Sequence, residues 1–89
     1  MRSRSFDGEE YEYNPRLRKL ILEVVENQMR DNNPPITNIT YRRLLSLGYS
    51  GKRAKEMIAV VVCNHIYDIM KENKMFDVER YAEDLAALK

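Results

Sequence analysis

The chain has no tryptophan, one cysteine, one histidine, three glycines and three prolines among its 89 residues. A lone Cys63 excludes an intrachain disulfide, and with it the stapled frameworks of small secreted domains. One cysteine and one histidine are too few for the usual zinc sets, which draw several Cys and His ligands together. Scarce glycine excludes a Walker loop: Gly48-Tyr49-Ser50-Gly51-Lys52-Arg53 precedes a predicted helix, where amides attract anions, but the required spacing is absent and no strand precedes it. The longest apolar run, Met57 to Cys63, falls far short of the ~20 residues that cross a bilayer. The opening MRSRSFDGEEYEYN has no apolar h-region, which predicts that it is not a secretory leader. A formal net charge of +1 argues against general polyanion binding. These absences together predict a reducing, cytoplasmic setting.

What is present is ordinary globular composition, 44% hydrophobic and 33% charged. The length predicts one domain, residues 14–89, behind a flexible N-terminal tail, residues 1–13, whose bulky groups are Phe6, Tyr11 and Tyr13. A partner-binding peptide is the alternative for that tail. A chain of this size buries only roughly 60–65% of its unfolded surface, so stability is expected to be modest and self-association useful.

Hydrophobic periodicity predicts an all-α, compact bundle of four helices, about 15–31, 37–47, 51–73 and 77–88. Asn14-Pro15 opens the first, with Asn as N-cap and Pro in the first turn. Leu17, Leu20, Ile21, Val24, Val25, Gln28 and Met29 fall on one face. Asp31-Asn32-Asn33-Pro34-Pro35 stops it. For the second helix, Asn38 or Thr40 is expected as the cap, and Ile39, Leu44, Leu45 and Leu47 as the apolar side. Gly48 suits the left-handed residue after its end. Ser50 caps the third helix, whose turn Met57 to Cys63 is apolar on every side. Such a helix must be buried from several directions, so 51–73 is the expected central post. Asp77 caps the fourth, with Val78, Tyr81, Ala82, Leu85 and Leu88 inward.

Chemistry is sparse. Cys63 and His65 are two positions apart on a helix and face different ways, so they make no catalytic pair. His65 and Asp68 share an i, i+3 spacing, with Glu72 a turn beyond, but no Glu-x-x-His element is present. A partly buried packing histidine among solvated acids is the favoured account. The clearest anomaly is charge: Arg42, Arg43, Lys52, Arg53 and Lys55 stand against Glu56 alone between Thr40 and Ile58. Helix, Gly-containing turn, helix is also the outline of a DNA-reading helix-turn-helix. The third helix is too long and apolar for a typical exposed recognition helix, and a solvated charged face is the leading account.

Asn14-Pro15-Arg16-Leu17, Val24-Val25-Glu26-Asn27-Gln28, Asp31 to Pro35, Arg43-Leu44, Leu47-Gly48-Tyr49, Met57-Ile58-Ala59, Val61-Val62, Phe76-Asp77 and Arg80-Tyr81 together resemble a bacterial family of small all-helical domains of unknown function. The resemblance spans nearly all of Asn14 to Leu88. It implies a compact helical domain and adds no activity. Members often carry histidines at the positions of Arg18, Leu22 and Glu56, and an acid at that of Asn64. Here Glu26 and Glu56 remain as carboxylates without imidazoles, so a family metal site would be lost or rebuilt, and no functional residue carries over.

The sequence therefore predicts a non-enzymatic structural or protein-interaction domain, with no cofactor and no metal ligand set. Its partner is another protein or a second copy, a homodimer forming through the 51–73 helix or its neighbours, because the Val60 to Cys63 turn offers more apolar surface than three short neighbours cover. The alternative is nucleic-acid binding through Arg42, Arg43, Lys52, Arg53 and Lys55. A second alternative is a remnant metal-dependent site around Glu26 and Glu56, with His65 as a further candidate.

Overall fold

The computed structural model describes residues 14–73 and 75–89. The expected tail, 1–13, lies outside the described residues. Four helices follow in order: α1 Pro15–Asp31, α2 Pro35–Ser46, α3 Gly51–Glu72 and α4 Val78–Ala86. No strand occurs among the described residues, and no helix among them is long and apolar enough to cross a membrane.

Three helix starts follow the sequence reading. The Asn14 side chain accepts from Leu17 N at 3.1 Å, Ser50 Oγ from Arg53 N at 3.0 Å, and Asp77 Oδ1 from Arg80 N at 3.1 Å. Each supplies an oxygen to an amide that the first helical turn leaves unpaired. The stops also follow it. Asn32 and Asn73 adopt left-handed backbone at the ends of α1 and α3, and Gly48 has φ +105° after α2. At Gly48 that geometry is open to glycine and strained for any other residue.

The second helix departs from expectation at both its start and its face. It begins at Pro35, with Pro34 as an N-cap that makes no side-chain bond. Proline tolerates this position because its fixed φ suits a first turn and its missing N–H would be unpaired there anyway. Asn38 and Thr40 are therefore inside the helix rather than caps. Asn38 Nδ2 instead donates to Met29 O at 2.9 Å and Asn32 Oδ1 at 3.1 Å, tying α2 to the end of α1. The buried face is Thr37, Thr40 and Leu44, while Ile39, Leu45 and Leu47 are exposed. Thr37 can be buried because its hydroxyl meets Gln28 Oε1 and the Tyr81 hydroxyl.

The third helix is the post around which the rest is built, touching each of the other helices. It buries Ala54, Ile58, Ala59, Val61, Val62, Cys63 and His65. Ile21 and Val25 of α1, Leu44 of α2, and Tyr81 and Leu85 of α4 complete the core. Each fully buried aliphatic side chain contributes on the order of 1.5–3 kcal/mol. The Val60 to Cys63 turn is not left uncovered as expected: Val61, Val62 and Cys63 are buried and Val60 is half-buried. A dimer through that turn therefore has little apolar surface to use. The three other helices pack on more sides of α3 than sequence spacing alone reveals.

One polar knot lies inside this core. Thr37 Oγ1 donates to Gln28 Oε1 at 2.8 Å, and the Tyr81 hydroxyl donates to the same oxygen at 2.9 Å. The two hydroxyl oxygens lie 3.2 Å apart. Gln28, the single polar residue in the apolar stripe of α1, thus joins α1, α2 and α4 through an acceptor with two lone pairs.

Candidate functional site

The basic segment does not form one free surface. Arg43 turns inward, and its guanidinium donates to Leu88 O at 2.6 Å and Leu85 O at 2.8 Å. These are carbonyls at the end of α4, where a cation also meets the negative end of the helix dipole. Tyr49 supports the same corner by donating to Lys89 O at 2.6 Å. Lys55 bonds Glu26 at 2.8 Å. Arg53 stands 3.9 Å from Glu56. Arg42 and Lys52 are exposed.

Glu26 and Glu56 do converge on one cavity, of about 370 Å³, lined also by Leu22, Tyr41, Gly51, Lys52 and Lys55. Each carboxylate there has a cation. Glu56 accepts from Arg18 at 2.6 Å, and Glu26 from Lys55. The hydrogen bond to Glu26 holds the Lys55 ammonium above its ordinary pKa; partial burial opposes this and the charge of Glu26 adds to it. A metal would have to displace these partners. Among the described residues no group of three or more His, Cys, Asp or Glu side chains is placed to hold a metal ion.

The second groove is built around His65. This residue is 8% exposed, on the inner side of α3. Its Nε2 lies 2.7 Å from Asp84 Oδ2 on α4. Its ring meets Tyr81 edge-on at 5.5 Å between centroids and Phe76 at 6.1 Å, and Phe76 lies 5.3 Å from Tyr81. Aromatic edges and a carboxylate thus hold the imidazole in one orientation. The groove that opens beside it has a volume of about 130 Å³ and is lined by His65, Asp68, Ile69, Glu72, Met75, Asp77 and Arg80. The i, i+3 and i+7 spacing of His65, Asp68 and Glu72 does place them in one groove. Asp84 and the α4 contributions were not legible, because they come from a helix joined through an irregular linker. Buried Tyr81 has a raised pKa because burial disfavours its phenolate, with the Thr37 hydrogen bond opposing.

Apart from these two grooves, the exposed large apolar side chains are unevenly placed. Of eight among the described residues, four (Met70, Met75, Phe76 and Val78) fall within nine consecutive positions at the α3–α4 corner, with Met70 at 78% and Met75 at 91% exposure. Scattered single apolar residues are normal on a surface, whereas a concentration is informative.

No protein-family model, no curated protein and no solved structure gives a significant match to this chain.

Proposed function

We propose that this chain is a protein-interaction domain rather than an enzyme, and that it presents the α3–α4 corner to its partner. The observation that carries this reading is the concentration of Met70, Met75, Phe76 and Val78 at that corner. Methionine is flexible and polarizable, and it is over-used on surfaces that accept partner side chains. The same corner holds Asp68, Glu72 and Asp77 beside its groove, so an apolar contact would have a polar rim. The bundle beneath it is a rigid support, since α4 is pinned through Asp84, Tyr81 and the Arg43 bonds to its end. A buried Cys63 and the lack of a second cysteine favour a reducing, cytoplasmic site of action. Nucleic-acid binding by the 42–55 segment has weaker support, because Arg43 and Lys55 already spend their hydrogen bonds inside the domain.

Photo-crosslinking in cells tests the proposal. A photoreactive residue replacing Met75 is expected to yield a discrete protein adduct, and one replacing Arg42, on the outer side of α2, is not. Adducts of equal yield from both positions, or from neither, would overturn it. An adduct of the chain with itself would assign the corner to a homodimer.

A further inference from the structure

We propose that Met70 and Met75 form an oxidation-sensitive pair, and that a hydroperoxide, by converting their thioethers to sulfoxides, releases the partner protein from the α3–α4 corner. This deepens the protein-interaction reading and rests on it.

Sulfur is sorted by position in this domain. The thiol of Cys63 is buried. Met29 and Met57 are half-buried and packed against the core. Met70 and Met75 stand at 78% and 91% exposure. Away from the corner, the exposed large apolar side chains among the described residues are Leu20, Ile39, Leu45 and Leu47, which carry no sulfur. Exposed sulfur among the described residues is therefore confined to the corner. Oxidation follows access to the sulfur atom, so these two methionines react first.

The reaction needs only that access. A sulfur lone pair attacks the outer oxygen of the hydroperoxide; an S–O bond forms and the O–O bond breaks. The proton on the transferred oxygen passes to the departing oxygen, which leaves as water or an alcohol. Sulfur loses two electrons and the peroxide gains them. A dithiol reverses the change under enzymatic catalysis: the oxygen leaves as water and the two thiols become a disulfide.

The consequence follows from where the sulfurs sit. A sulfoxide is polar and accepts hydrogen bonds, so burying it in an apolar contact without a donor is unfavourable. Met75 lines the groove beside His65 and precedes Phe76, whose ring packs against Tyr81 and His65. A polar group there interrupts the apolar surface that Met70, Phe76 and Val78 continue. Neither methionine belongs to the core, so oxidation alters the contact and leaves the bundle folded.

Peptide mass mapping of the full chain in hydrogen peroxide tests the site. Met70 and Met75 are expected to gain oxygen roughly ten-fold faster than Met29 and Met57, with helical circular dichroism unchanged. A photoreactive residue replacing Val78, in cells, tests the consequence. Its adduct yield is expected to fall roughly ten-fold after a hydroperoxide pulse, the effect of one unpaired polar group in the contact. The yield is expected to hold in the Met70→Leu/Met75→Leu variant, whose leucines keep volume and apolarity.

Equal oxidation rates at Met29, Met57, Met70 and Met75 would overturn the site. An adduct that persists while mass mapping shows both sulfoxides would overturn the release. Loss of the adduct in the leucine variant as well would place the oxidised group on the partner and overturn the assignment. No adduct from Val78 or Met75 in untreated cells would overturn the interaction reading itself, and the release with it.

Discussion

The Tyr41 hydroxyl occupies the space in which a side chain on Gly51 would begin: a Cβ placed there falls 2.7 Å from that oxygen and 3.8 Å from the ring carbon bearing it. The first residue of α3 is thus glycine because α2 lies against it. Alanine is otherwise the better helix residue by up to ~1 kcal/mol. Gly51→Ala is therefore expected to be neutral or destabilising in the native background and stabilising in a Tyr41→Phe background. A double-mutant cycle by urea unfolding should give a coupling of about 0.5–1 kcal/mol. Additive effects would mean that Tyr41 moves aside freely.

Arg43 and Arg42 are neighbours in sequence with opposite consequences. Arg43→Ala removes both donors to Leu85 O and Leu88 O and should destabilise by about 1.5–3 kcal/mol, the range for hydrogen bonds to charged groups. Arg42→Ala, at an exposed position, should fall within ~0.5 kcal/mol of the parent. Hydrogen exchange should localise the Arg43 effect to faster opening of α4. If the two variants match in stability, the Arg43 bonds do not persist in solution.

The Gln28 knot predicts a ranked pair. Tyr81→Phe removes one donor and leaves Gln28 Oε1 bonded by Thr37, an expected loss of about 1 kcal/mol. Gln28→Ala leaves the buried Thr37 and Tyr81 hydroxyls without their shared acceptor and opens a gap, an expected loss of about 2–4 kcal/mol. Chemical denaturation at neutral pH decides the order, and equal losses would show that water replaces Gln28.

Alkaline pH should weaken the fold through two groups. The pKa of Tyr81 is raised from 10.0 by burial, and that of Lys55 from 10.5 mainly by its bond to Glu26. For each, the folded state holds the proton more tightly than the unfolded chain. Their stabilisation is therefore complete below the unfolded values and is lost as pH rises through the folded ones. The urea midpoint should fall above about pH 10. Tyr81→Phe and Glu26→Gln should each flatten that fall, and a flat profile in the parent would remove both assignments.

Val61 is buried on α3. Val61→Asp leaves an unpaired charge in the core, a penalty comparable with the whole ~5–15 kcal/mol that holds a domain together. Loss of helical circular dichroism and of cooperative melting is expected. A folded Val61→Asp variant would displace the centre of the core from α3.

Residues in sequence determined the helices and most of their ends, because caps, proline starts and left-handed stops act over three or four positions. Asn14, Ser50 and Asp77 were readable as caps, and Gly48 as a stop, without any knowledge of what they pack against. The apolar turn of α3 likewise announced a central helix, since a surface greasy all round has no other place to go. The face of α2 was not readable this way. Its leucines and isoleucine suggested one side, of which Leu44 alone is buried, and the contacts of Thr37 with Gln28 and Tyr81 fixed another.

Contacts across the bundle decided the candidate site. Nothing local links His65 to Asp84, Arg43 to the end of α4, or Tyr41 to Gly51, because each pair meets only after separate helices have packed. Hydrophobic burial chose that packing, and the polar partners followed from it. Local physics wrote the elements of this protein, and the tertiary arrangement alone set which imidazole faces a carboxylate beside a groove.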